Sequence, residues 1–280
     1  RSSSAAERPP APGAGPAGGP VSESRPPPMR KRRVLAISAL KGGVGKTTTA
    51  VNLAAACARA GRRVLLVDFD PQGCVSASIG LDNETGLDAW LVGEATFEDV
   101  VVRGNRPNLD VVVAGARLLA AEDQLREKGK EKRRHRFERR LRELDAEGYD
   151  VVLLDCPPSA SLLLENAWLA AHELVLPAKL DPLSLPALER TKRFAAAIDA
   201  DRPKPLRIAG VLPTFYDLRT RVSDETLDAI REKFTKILSP IRINAALAEA
   251  PRAGKTIYEL DPSARGAVDY ALLAEDLGLA

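Results

Sequence analysis

Apolar residues along this chain follow two rhythms. From about residue 33, short and nearly unbroken apolar runs alternate with stretches in which apolar side chains return every three or four positions. The runs are Val34 to Ala39, Val64 to Phe69, Leu109 to Ala114, Val151 to Asp155, Leu174 to Ala178 and Ile208 to Pro213. They are rich in Val and Leu and do not alternate with polar residues, which predicts parallel strands covered on both faces. The helical rhythm predicts helices over Lys46 to Ala60, about Lys132 to Ala146, Ser161 to Ala171, Leu183 to Ile198, Ser223 to Leu238 and Gly266 to Leu277. Strand and helix in alternation over most of the chain predict an α/β fold, a doubly wound, mostly parallel sheet with helices on both faces.

The first 28 residues follow neither rhythm. They hold eight of the 21 prolines and four glycines, too little apolar surface to offset the entropy of ordering. Residues 1–28 are therefore expected to be a disordered tail or an upstream extension, with Met29 as a natural start and the folded domain at 29–280. The three cysteines form no CxxC pair and the two histidines stand in no metal spacing, so a disulfide framework and a zinc site are both disfavoured. With no long apolar run and no leader pattern, the expected location is the cytoplasm.

Candidate chemistry gathers where strands end. Directly after the first strand stands Lys41-Gly42-Gly43-Val44-Gly45-Lys46-Thr47-Thr48, which then opens a helix. Glycines let successive backbone N–H groups turn toward one anion, and the helix N-terminus adds its positive end. Lys46 can reach β- and γ-phosphates, and Thr47 can hold Mg2+. A strict phosphate loop would have glycine at position 40; here it is Leu40, and Lys41 places a second positive charge near the nucleotide. The second strand ends in Asp68-Phe69-Asp70-Pro71-Gln72-Gly73 and the fourth in Asp155-Cys156-Pro157-Pro158-Ser159. In a parallel sheet these segments share one edge with the loop. By strand alternation Asp68 and Asp70 point the same way, which suits one carboxylate in a Mg2+ shell and one near an attacking water.

These three segments resemble the deviant Walker A, Walker A′ and Walker B motifs of the ParA/MinD family of P-loop ATPases. Gly210 to Thr220, Ala248-Glu249-Ala250-Pro251 and Tyr258-Glu259-Leu260-Asp261-Pro262 are similar, more narrowly, to the ParA/Soj branch that partitions chromosomes and plasmids. The resemblance implies an ATPase using ATP and Mg2+, slow alone and stimulated by a ParB-like centromere-binding protein. It implies that Lys41 reaches the nucleotide of a partner subunit in an ATP-sandwiched homodimer, with Gly42 at the contact between subunits. Asp70 would position the hydrolytic water, and Thr47, Asp68 and Asp155 would serve the metal. The dimer would bind nonspecific DNA and so associate with the nucleoid. Arg219 falls where the family places a DNA-contacting arginine, whereas Ala246 occupies the other such position.

Charge placement offers another DNA surface. The chain carries a net +3, yet Arg126 to Arg142 alone holds ten Lys or Arg against three acids, so the positive field is local. Arg133 and Arg134 in this run are candidate phosphate contacts, as are Arg221, Arg252 and Lys255 nearer the family surface. A MinD-like membrane ATPase would end in a basic amphipathic helix; residues Gly266 to Ala280 contain acids and no Lys or Arg, and no membrane partner is expected. A ParA-like ATPase that positions a protein cargo instead of DNA is the alternative kept open by Ala246.

Overall fold

Six apolar runs become strands, and a seventh strand joins them at one edge. The computed structural model describes residues 31–144, 148–200, 202–217 and 221–280, apart from the Arg221 side chain. Its strands are β1 (Arg33–Ile37), β2 (Val64–Asp68), β3 (Val101–Arg106), β4 (Leu109–Val112), β5 (Val151–Asp155), β6 (Glu173–Lys179) and β7 (Arg207–Thr214). They form one sheet in the order β3-β4-β2-β5-β1-β6-β7, parallel throughout except for the β3–β4 pair. β3 escapes the apolar-run rule because it lies at the edge, reads Val-Val-Arg-Gly-Asn-Arg and is half exposed.

Helices cover both faces, each over its own core. On one face α1 (Lys46–Arg59), α12 (Ile257–Leu260) and α13 (Arg265–Asp276) bury Leu53, Tyr270 and Leu273 against Leu66 and Leu153. The other carries α3 (Leu87–Val92), α5 (Leu118–Arg126), α7 (Arg136–Arg142), α8 (Leu162–Ala170), α9 (Ser184–Asp199) and α10 (Arg221–Lys233), over Trp90, Phe137 and Trp168. Shorter helices are α2 (Cys74–Ile79), α4 (Phe97–Val100), α6 (Lys130–Arg134) and α11 (Ala245–Glu249). α8 shows how sequence sets position. Ser161 caps it by accepting the Leu164 N–H at 3.2 Å, and its largely apolar sequence buries every residue but Glu165 in the segment that follows β5.

Two helix predictions need correction. The helix expected over Lys132 to Ala146 is α6 followed by α7, broken at His135, whose ring Nδ1 lies 2.7 Å from Glu138 Oε2; Ala146 is outside the described residues. The helix expected to run to Leu238 stops at Lys233. Beyond it the chain lies along β7, with the Leu238 N–H donating to the Val211 carbonyl and the Val211 N–H to the Lys236 carbonyl. Sheet-edge pairing here outcompetes helical continuation, and Leu238 packs so close to Gly210 that a Cβ there would lie 2.8 Å from it.

Candidate nucleotide site

The loop between β1 and α1 is held open by its glycines. Gly43 and Gly45 have φ of +69° and +84°, a left-handed conformation that costs a side chain but not glycine. Gly45 is the N-cap of α1, so the helix dipole and its first free N–H groups face the loop. A Cβ at Gly42 would meet nothing within 4 Å; nothing in this chain demands glycine there. Lys46 is buried, and its Nζ donates to the Lys41 carbonyl at 3.3 Å. Lys41 turns the other way: its Nζ lies 2.6 and 2.7 Å from the two carboxylate oxygens of Asp181. From β7, Thr214 Oγ1 donates to the Val44 carbonyl at 3.0 Å, tying the loop to the sheet.

Register sets the carboxylates side by side. Asp68 at the end of β2 is the direct partner of Asp155 at the end of β5, and both are fully buried. Burial, then the neighbouring Asp155 charge, pushes the Asp68 carboxyl well up. Burial also raises Asp155, with the Thr47 hydroxyl and Lys46 ammonium opposing. Their remaining bonds differ. Asp68 accepts the Asp70 N–H at 2.9 Å and the Val75 N–H at 3.1 Å, so both oxygens brace the β2–α2 loop. Among the described residues neither Asp155 oxygen has a well-formed hydrogen bond. A buried carboxylate left so, beside a threonine hydroxyl and a phosphate-type loop, fits a hard divalent cation, which would offset the desolvation of its charge. Asp70 is buried and its Oδ1 accepts the Gln72 N–H at 3.0 Å.

Thus the predicted residues Lys41 to Thr48, Asp68, Asp70 and Asp155 meet at one sheet edge. Sequence reasoning passed over two participants, Asp181 and Thr214. Thr214 ends β7 at this same edge, and that position was the available signal; Asp181 lies two residues beyond the end of β6, in the turn before α9.

The basic run is a different object from the expected DNA-binding helix. Arg134 is buried and donates to Glu165 at 2.7 Å, which removes it from the candidate phosphate contacts. Arg136 donates to the Leu91 carbonyl at 2.7 Å and Arg140 to the Trp90 carbonyl at 3.0 Å, so these guanidiniums satisfy the C-terminal carbonyls of α3. Arg126 pairs with Glu122 and Arg142 with Glu138. Arg133 is half-buried and donates to the Arg126 carbonyl. Arg252 and Lys255 are exposed; Arg219 and the Arg221 side chain lie outside the described residues.

A phosphate loop opening α1, two carboxylates in register and a lysine at the loop's second position define a nucleotide site at the carboxyl edge of a seven-stranded sheet. Residues 32–208 match the family model described as an AAA domain. The chromosome partitioning protein ParA of Caulobacter vibrioides is 38% identical over 251 residues, 88% of this chain and 93% of that protein. The chromosome-partitioning ATPase Soj of Thermus thermophilus is 39% identical over 254 residues, 88% of this chain and 96% of that protein. The chain belongs to the ParA/Soj family of P-loop ATPases. Its fold superimposes, with a TM-score of 0.76 and 32% identity, on cobyrinic acid a,c-diamide synthase from Mycobacterium smegmatis with a bound ATP analogue and magnesium, covering 88% of this chain and 93% of that one. Within this ParA/Soj chain, among the described residues, no helix is long and apolar enough to cross a membrane.

Proposed function

We propose that this chain is a partition ATPase that hydrolyses ATP with Mg2+ and acts as a nucleotide-gated homodimer on DNA. The observation that carries the reading is Asp155: fully buried, without a well-formed hydrogen bond of its own, and beside Lys46 and Thr47 at the mouth of the phosphate loop. Bound Mg2+ would screen charge building on the phosphates. Lys46 and the loop N–H groups hold the phosphates, Thr47 and Asp155 hold the cation, and Asp68 braces the loop that presents Asp70. Asp70 orients the attacking water, and Lys41 reaches the nucleotide of the second subunit. Loss of the γ-phosphate removes the contacts that favour the dimer, so hydrolysis resets the switch. A ParB-like partner accelerates that reset.

The DNA surface in this reading is drawn from Arg219, Arg221, Arg252 and Lys255, with Arg133 at its margin, and the protein works in the cytoplasm on the nucleoid. Two observations favour a second reading, positioning of a protein cargo: most of the basic run is spent on internal bonds, and α11 offers Ala246 in place of a cation. Phosphate release measured with Mg·ATP, with ATP in chelator, and for Lys46→Ala tests the enzymatic core. Turnover only with the parent and Mg2+ supports it, and equal turnover by Lys46→Ala refutes it.

A further inference from the structure

We propose that Asp181 is a positioning residue: it parks Lys41 within its own subunit, so that closure of the ATP dimer must first break this ion pair. The inference rests on the reading above that Lys41 reaches the second subunit's nucleotide. Three contacts carry it. Lys41 Nζ sits 2.6 and 2.7 Å from the two Asp181 oxygens and 3.4 Å from Ser184 Oγ. Asp181 is itself oriented, because its Oδ1 accepts the Leu183 N–H at 3.0 Å in the turn that opens α9. Burial pushes the Asp181 carboxyl up, yet the hydrogen bond and charge of Lys41 outweigh it and hold the group below its ordinary range. One ammonium cannot occupy this seat and a site on another subunit at once.

The seat is suited to being left. Lys41 and Asp181 side chains are 22% and 29% exposed, so water can replace each partner as the pair opens, and the bond is a modest restraint. Lys46, buried against its own loop, has no such freedom. A dimer contains two of these pairs, and each subtracts from the free energy of closure. Asp181 therefore sets how much protein is needed to form the dimer without touching the nucleotide.

The test uses the full chain with a non-hydrolysable ATP analogue and Mg2+, reading the dimer dissociation constant by sedimentation and the nucleotide affinity at protein concentrations below dimerisation. Asp181→Asn keeps an acceptor for the Leu183 N–H and removes the charge; Asp181→Ser does the same with a smaller side chain. Both should tighten the dimer about three- to tenfold, with monomer nucleotide affinity unchanged, as expected from breaking two partly exposed pairs. Asp181→Glu, which restores the charge, should return the dimer to within about twofold of the parent. Neutral variants that match the parent, or weaken the dimer, overturn the parking role while leaving the sandwich reading intact. Lys41→Ala separates the two failures: if it dimerises like the parent, the sandwich reading falls and this inference falls with it.

Discussion

Replacing Asp155 with Asn should make the metal-free protein more stable and the enzyme inactive. Asp155 is fully buried at the end of β5, opposite Asp68, and burial pushes its carboxyl from 3.8 up to about 7. A carboxyl raised on folding leaves stability untouched below its ordinary value. Stability is then lost as pH rises through the window from 3.8 to about 7. At about 1.4 kcal/mol per unit the ceiling at pH 8 is about 4 kcal/mol. A buried Asn amide leaves polar atoms imperfectly paired in its turn, so the expected net gain is about 1–3 kcal/mol. Urea unfolding in chelator at pH 8 and pH 5 measures it: the gain should be present at pH 8 and shrink at pH 5. With Mg2+ and ATP the same variant should lose at least about a hundredfold in turnover, since a metal-holding carboxylate is gone. A variant less stable than the parent at pH 8 in chelator, or one that keeps its turnover, would refute the assignment of Asp155 as the buried metal-facing group.

Thr214→Val should cost about 1–3 kcal/mol, because the Val44 carbonyl loses its buried donor, and should weaken nucleotide binding several-fold; an unchanged nucleotide titration would count against a β7 brace on the loop. Gly42→Val should leave the monomer's unfolding midpoint unchanged, since a Cβ there meets nothing within 4 Å, yet abolish dimerisation with a non-hydrolysable ATP analogue; intact dimers by light scattering would contradict the placing of Gly42 at the subunit contact. His172 is held below its ordinary 6.5 by burial and by Arg202, and its Nδ1 accepts the Val34 N–H at 3.1 Å. Protonation therefore favours the unfolded chain, and stability should fall as pH drops below about 6.5. His172→Asn should flatten that slope in denaturant melts between pH 7 and pH 5; an unaltered slope would place the titrating group elsewhere.

The core strands and their edge of chemistry were readable because a buried parallel strand needs an unbroken apolar run, and the residues ending such runs must share an edge. β3 and the short helices α2, α4 and α11 were not, because pieces of four to six residues are set by caps and neighbours more than by periodicity. Charge misled for a related reason. Arg134, Arg136 and Arg140 read as a solvent-facing basic helix, but ion pairing and carbonyl capping across 30 to 50 positions are invisible in a linear count. Asp181 was missed because nothing local marks it. It acquires meaning only when the parallel β1–β6 pairing brings the end of β6 alongside the loop that carries Lys41.

The most direct test of the switch is binding to nonspecific duplex DNA with ATP, with ADP and without nucleotide, over a salt series, for the parent and for Lys46→Ala. The account predicts binding by the parent with ATP alone, weakening steeply as salt rises, and none by Lys46→Ala. Absence of DNA binding in every nucleotide state, with ATP-dependent dimers still forming, would contradict the partition reading and assign the dimer to a protein cargo.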